Sequence, residues 1–142
     1  MKRKTYALFT FILSIMAFVC SFTACDKGKA TATVKETTET RVVIEVGEAE
    51  TNATLLSVME TLQKEEKLTF SLIGTMVSGI NGKENPADFS SCWMLYTSDA
   101  EMSNAEWGTI EYGGKTLGSA ILGADALTVV EGGVYVWEYQ TF

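Results

Sequence analysis

Leu127-Thr128-Val129-Val130-Glu131-Gly132-Gly133-Val134-Tyr135-Val136-Trp137-Glu138-Tyr139 is a pair of β-branched and aromatic runs on either side of a tight Glu-Gly-Gly connection. Val134 to Tyr139 reads as a strand, because such side chains suit a pleated, half-buried surface. Side chains alternate along a strand, so Tyr135, Trp137 and Tyr139 share one face and Val134 and Val136 the other. If the valine face meets a helix, the aromatic ladder lies outside, where it can stack on a flat ligand or receive a partner. The other reading is that these rings fill the core or the second sheet face.

Upstream, the chain supplies that helix and further strands. Val42, Val43, Ile44 and Val46, ending at Gly47, read as a first strand. Asn52 or Thr54 caps the helix that follows. Leu55, Val58, Met59 and Leu62 fall at i, i+3, i+4 and i+7, an apolar stripe backed by Glu60, Gln63 and Lys64. Leu68 to Ile73 and Met76 to Ile80 suggest two short strands, Asn81-Gly82 a loop, and Cys92 to Thr97 another strand. Ile110-Glu111-Tyr112 and Lys115-Thr116-Leu117 flank Gly113-Gly114, a two-residue hairpin turn. One early helix and several short strands point to an α+β domain, 41–142, with a mixed sheet and the helix across one face.

The amino terminus has another texture. Met1 to Tyr6 is short and basic, Ala7 to Val19 is almost wholly apolar, and Ser21 to Ala24 is mostly small. That is the layout of an export signal over 1–24. The apolar run is short for a membrane span, which needs about 20 residues; an uncleaved anchor helix is the competing reading. Either way the basic end stays inside and the rest faces out. Phe22-Thr23-Ala24-Cys25 resembles the lipobox of bacterial lipoproteins, with Phe22 where Leu is usual. The resemblance implies that Cys25 is acylated and heads the mature chain, anchoring it outside the cytoplasm. Cys20 is the weaker alternative, since bulky Val19 precedes it. Residues 25–40 then make a lipidated cysteine and a Thr-rich stalk without aromatic residues, a composition expected to stay flexible.

Composition excludes several chemistries. Lys2, Arg3 and Lys4 precede the apolar run, so the rest carries 8 basic against 18 acidic residues, a net of −10. Nucleic acid is a poor partner for such a surface. The chain has no histidine, which removes the commonest base for a nucleophile and the commonest zinc or copper ligand. Cys92, in an apolar run, reads as a buried and inert thiol. Glu65-Glu66 looks like a solvated pair, and Asp88, Asp99, Glu101 and Glu106 lack the spacing of a calcium loop. No catalytic or metal-binding residue and no cofactor is expected. A binding protein is expected instead of an enzyme.

Thr54-Leu55-Leu56 through Leu62, Phe70 to Gly82, Cys92 to Ser98 and Leu127 to Tyr139 together resemble the transcobalamin-like C-terminal domain. The likeness lies in their order: a helix opening Thr-Leu-Leu, an Ile-Asn-Gly loop, a Trp-centred strand, and a Gly-containing turn into a last strand ending Trp-x-Tyr. It covers most of 41–142 and implies a β-grasp fold. It departs at Thr97-Ser98-Asp99, where the family usually has Val-Asn-Gly after its tryptophan strand, and at Gly132-Gly133, usually Gly-Asp. The resemblance implies a cobalamin or other corrinoid-like ligand, held by aromatic faces, hydroxyls and backbone amides. The candidate binding residues are Trp107, Tyr112, Tyr96, Trp137 and Tyr139, with Trp107 the ring best placed for exposure by its polar neighbours. A surface module that binds another protein, and no small molecule, is the alternative.

Overall fold

The computed structural model describes residues 28–142. The signal segment and Cys25 lie outside the described residues. Nine strands and one α-helix run in the order β1 (Ala30–Thr37), β2 (Arg41–Ala49), α1 (Leu55–Lys64), β3 (Phe70–Ile73), β4 (Met76–Ile80), β5 (Lys83–Glu84), β6 (Ser91–Thr97), β7 (Ser103–Tyr112), β8 (Lys115–Ala120) and β9 (Val134–Thr141). A short 3₁₀ turn, Ala100–Met102, precedes β7. The fold is α+β: a six-stranded sheet in the order β1-β2-β9-β6-β8-β7, a smaller sheet β3-β4-β5, and the single helix.

Every pairing in both sheets is antiparallel, which corrects the mixed sheet expected from the sequence. A parallel neighbour needs a crossover that returns beside the strand it left. The connection through α1 instead delivers the chain into the small sheet. Turn chemistry sets the hairpins. Asn81 and Gly82 both have positive φ, as do Gly113 and Gly114, the backbone of tight two-residue turns that follow the twist of the strands they join.

The stretch expected to be a flexible stalk is in fact largely strand. Ala30, Ala32 and Val34 are half-buried against the core while Thr31, Thr33 and Lys35 face water, and the backbone pairs with β2 from Ala30↔Ala49 to Thr37↔Val42. An edge strand needs one modestly apolar face, and alternating Ala, Val and Thr supply it. The folded unit therefore begins before residue 41.

The helix forms where its period places it. Thr54 caps it: its hydroxyl accepts from Ser57 N–H while Ser57 Oγ accepts from Thr54 N–H, a capping box. Leu55, Leu56, Val58, Met59 and Leu62 are buried. The first free amides of the helix are taken by an irregular segment before β9, with Leu55 N–H donating to Leu127 O and Leu56 N–H to Ala124 O. Leu127 to Val130 is thus a strap over the helix start. Beside the Leu127 carbonyl bond it makes the isolated bridge Thr54↔Thr128 at the helix cap, and it forms no strand ladder with β9.

The faces of β9 are the reverse of the outward-ladder reading. Tyr135 and Trp137 lie in the main core with Ile44, Leu55, Met59 and Leu62, and Val134 and Val136 pack on the other side with Val43, Tyr96 and Leu117. The deep space between sheet and helix takes the large rings. The reverse side is closed by the β7–β8 hairpin, whose Ile110 and Tyr112 fold onto it, and that shallow space suits valine. Tyr135 OH accepts from Val130 N–H at 2.9 Å, and a Cβ on Gly133 would stand 2.9 Å from the Tyr135 ring. Only glycine lets the strap turn this tightly over the phenol.

A chain lacking Ala30–Thr37 is expected to lose cooperative unfolding in denaturant or to aggregate, because β2 would become a bare edge. A flexible stalk could be deleted with its unfolding midpoint unchanged.

Candidate functional site

Of the strands in the main sheet, β6 is paired unequally. It meets β9 over seven positions, from Ser91↔Thr141 to Thr97↔Tyr135, but meets β8 at only two, Tyr96↔Ser119 and Thr97↔Gly118. Below Tyr96 no strand among the described residues pairs with the flank of β6 that faces away from β9. A cavity of about 350 Å³ lies there. Cys92, Trp93, Met94 and Leu95 line one wall, Ser119 and Ala120 the end, Gly123 to Asp125 the second wall, and Met76 and Phe89 the rim.

Its character is apolar and aromatic. Phe89 is 50% and Met76 45% exposed, large apolar side chains held at the mouth. Phe89 reaches this place through a left-handed backbone, φ 53°, which a Phe rarely adopts. Trp137 also lines the groove, though only 5% exposed. Its Nε1–H is buried with no acceptor among the described residues, a condition that costs about 1–3 kcal/mol. Trp93 is fully engaged: its backbone N–H donates to Asn85 Oδ1 at 2.9 Å and its Nε1–H to Lys83 O at 2.8 Å. Burial pushes the Cys92 thiol up, so it is protonated at neutral pH; its Sγ lies 3.6 Å from Met94 Sδ.

A larger cleft, about 770 Å³, opens between α1 and the ends of β1 and β2. Glu48, Glu50, Glu60 and Glu131 share its walls with Lys29, Lys64 and threonines, and no aromatic ring faces it. The smaller groove, with its aromatic lining and half-exposed apolar rim, is the better candidate for ligand binding.

The five aromatic residues singled out from the sequence do not converge. Trp137 alone lines the groove. Tyr139 packs edge-on against Trp93, ring centroids 5.3 Å apart, with Lys83 Nζ 4.3 Å above its ring. Its hydroxyl is shared with Ser91 Oγ and the Glu84 carbonyl. Tyr96 is buried on the reverse face, where its hydroxyl accepts from Gln140 Nε2 at 2.8 Å. Tyr112 is half-buried in that same small cluster, near the Arg41–Glu138 ion pair. Trp107 is 62% exposed, as its polar context suggested, and sits beside Gly108, whose φ of 131° suits glycine alone. Met76 and Phe89 were missed. Their signal was an apolar side chain placed among turn residues, Gly74-Thr75-Met76 and Pro86-Ala87-Asp88-Phe89.

In comparisons with family models, curated proteins and solved structures, nothing matches the chain.

Trp137→Ala is expected to cost about 3–5 kcal/mol in chemical denaturation, since it empties part of the core. Trp107→Ala should change stability by no more than about 0.5 kcal/mol, as an exposed side chain does.

Proposed function

We propose that this chain is a bacterial lipoprotein held outside the cytoplasm by lipid on Cys25, and that its β-grasp-like domain is a binding module that carries no reaction. The lipobox-like Phe22-Thr23-Ala24-Cys25 after a short apolar run supports the anchor. Several acyl chains on one residue give durable attachment, where one myristoyl chain gives only a marginal hold. Within the domain, the observation that carries the reading is the groove beside β6, where two half-exposed apolar side chains stand over a buried tryptophan with an unpartnered N–H.

A corrinoid or similar flat, amide-rich ligand is the candidate implied by resemblance. At about 350 Å³ the groove is at the small end of ligand sites, so it would take one edge or substituent of such a molecule and leave the rest to solvent or to a second protein. The alternative, a module for binding proteins, is favoured by the apolar residues exposed on the neighbouring β3–β4 hairpin, Leu72, Ile73 and Met76.

Titration of the full chain with cyanocobalamin and cobinamide, followed by absorbance and calorimetry, separates the two. Saturable binding that weakens at least tenfold in Phe89→Asp supports the corrinoid reading; no heat and no spectral change at near-millimolar ligand leaves the protein-binding one. For the anchor, mass spectrometry of protein recovered from cell membranes should find an acylated Cys25 as the first residue. Intact Met1 and an unmodified Cys25 in a cytosolic chain would overturn it.

A further inference from the structure

We infer that the groove takes one extended peptide segment, laid as an added strand along the free flank of β6. The inference rests on reading the groove as the binding site and names its occupant.

The shape of the lining is the first argument. Cys92, Trp93, Met94 and Leu95 are consecutive, and their side chains alternate between the two faces of the sheet, yet all four line one cavity. Four successive strand residues share a cavity only when it runs along the backbone edge itself. The groove is therefore a slot beside a strand, continuous with the place where β8 stops pairing.

Backbone chemistry is the second. Trp93 sends its N–H away from β9, to Asn85 Oδ1, and alternate residues of an antiparallel strand direct both backbone groups to the same side. Leu95 therefore points into the slot with Trp93. The ladder with β8 ends at Tyr96↔Ser119, so Leu95 N–H and Trp93 C=O have no strand to pair with among the described residues. A donor and an acceptor two residues apart on one edge are what an incoming strand completes, and main-chain pairing of this kind supplies affinity while side-chain pockets supply selectivity. A rigid aromatic or lipid-like ligand would leave both groups unanswered.

The walls define the peptide further. Met76 and Phe89 form an apolar rim for alternate side chains of the incoming strand. Asp125 lines the far wall, and the chain beyond residue 4 carries a net of −10, so an apolar segment flanked by lysine or arginine fits better than an acidic one.

The test immobilises the full chain and passes over it a pool of blocked hexapeptides, acetyl-Lys-X-X-X-X-Lys-amide, randomised at the four central positions. The parent is expected to retain alternating apolar sequences at least tenfold over the Met76→Asp, Phe89→Asp double variant, whose rim substitutions should leave the thermal midpoint in place. In 15N-labelled full chain, a retained peptide should shift the Leu95 amide and slow its hydrogen exchange at least tenfold. Backbone N-methylation of alternate peptide residues should abolish retention in one of the two registers. Equal retention by the double variant, indifference to N-methylation in both registers, or protection confined to the outer strands β1 or β7 would overturn the inference. Corrinoid binding that Phe89→Asp weakens, with no peptide retained, would sink the peptide while sparing the groove. If neither ligand distinguishes the parent from the rim variants, the groove reading itself falls.

Discussion

β9 pairs with β2 on one side and with β6 on the other, and the rest of the structure depends on that double pairing. Without it the β1–β2 hairpin and the β6–β8–β7 half share no backbone bond within the sheet. The strand comes last in the chain, so its contacts span long stretches of sequence, as in Arg41↔Glu138. Such contacts carry a loop-closure entropy that local contacts do not. Arg41 and Glu138, partners in this ladder, form an ion pair across the seam, and the Glu138 hydrogen bond holds the guanidinium proton more tightly than usual. Both faces of β9 are buried, so a slip of one residue would exchange Tyr135 and Trp137 for Val134 and Val136 in spaces of different depth.

The strap before β9 connects this seam to the helix and to the groove. Its Leu127 carbonyl and the Ala124 carbonyl just upstream accept the first helical amides, its Val130 N–H is held by the buried Tyr135 phenol, and Gly123 to Asp125, which precede it, form one wall of the slot. Burial pushes the Tyr135 phenol above its ordinary pKa, against the Val130 N–H bond, which pulls it down. The same segment therefore satisfies a helix end and shapes the groove. The cost of shaping is visible in Trp137, the one buried side-chain donor among the described residues without an acceptor.

A sheet edge left unpaired inside a protein is a hazard, because it invites any passing strand. Here the exposed length is short. Asn85 caps one end with its side-chain carbonyl and β8 closes the other, so only a brief stretch remains open. The chain's strong negative charge opposes self-association through that stretch.

Local features were legible from the residues. Leu55, Val58, Met59 and Leu62 announced the helix and its buried stripe, Asn52 or Thr54 its start, Gly113-Gly114 a hairpin and Val134 to Tyr139 a strand, because period and turn conformation depend on neighbours within a few positions. Trp107 was correctly read as exposed from its polar surroundings. Other features were not legible. Ala30 to Thr37 looked like a stalk because its burial comes from pairing with β2 and packing on the core, which composition cannot report. The inward face of β9 was set by which side offered depth for a tyrosine and a tryptophan, and the groove by where β8 parts from β6. Each of these is a matter of pairing and packing between segments distant in the chain, and alternation within one strand is the same whichever face meets the core.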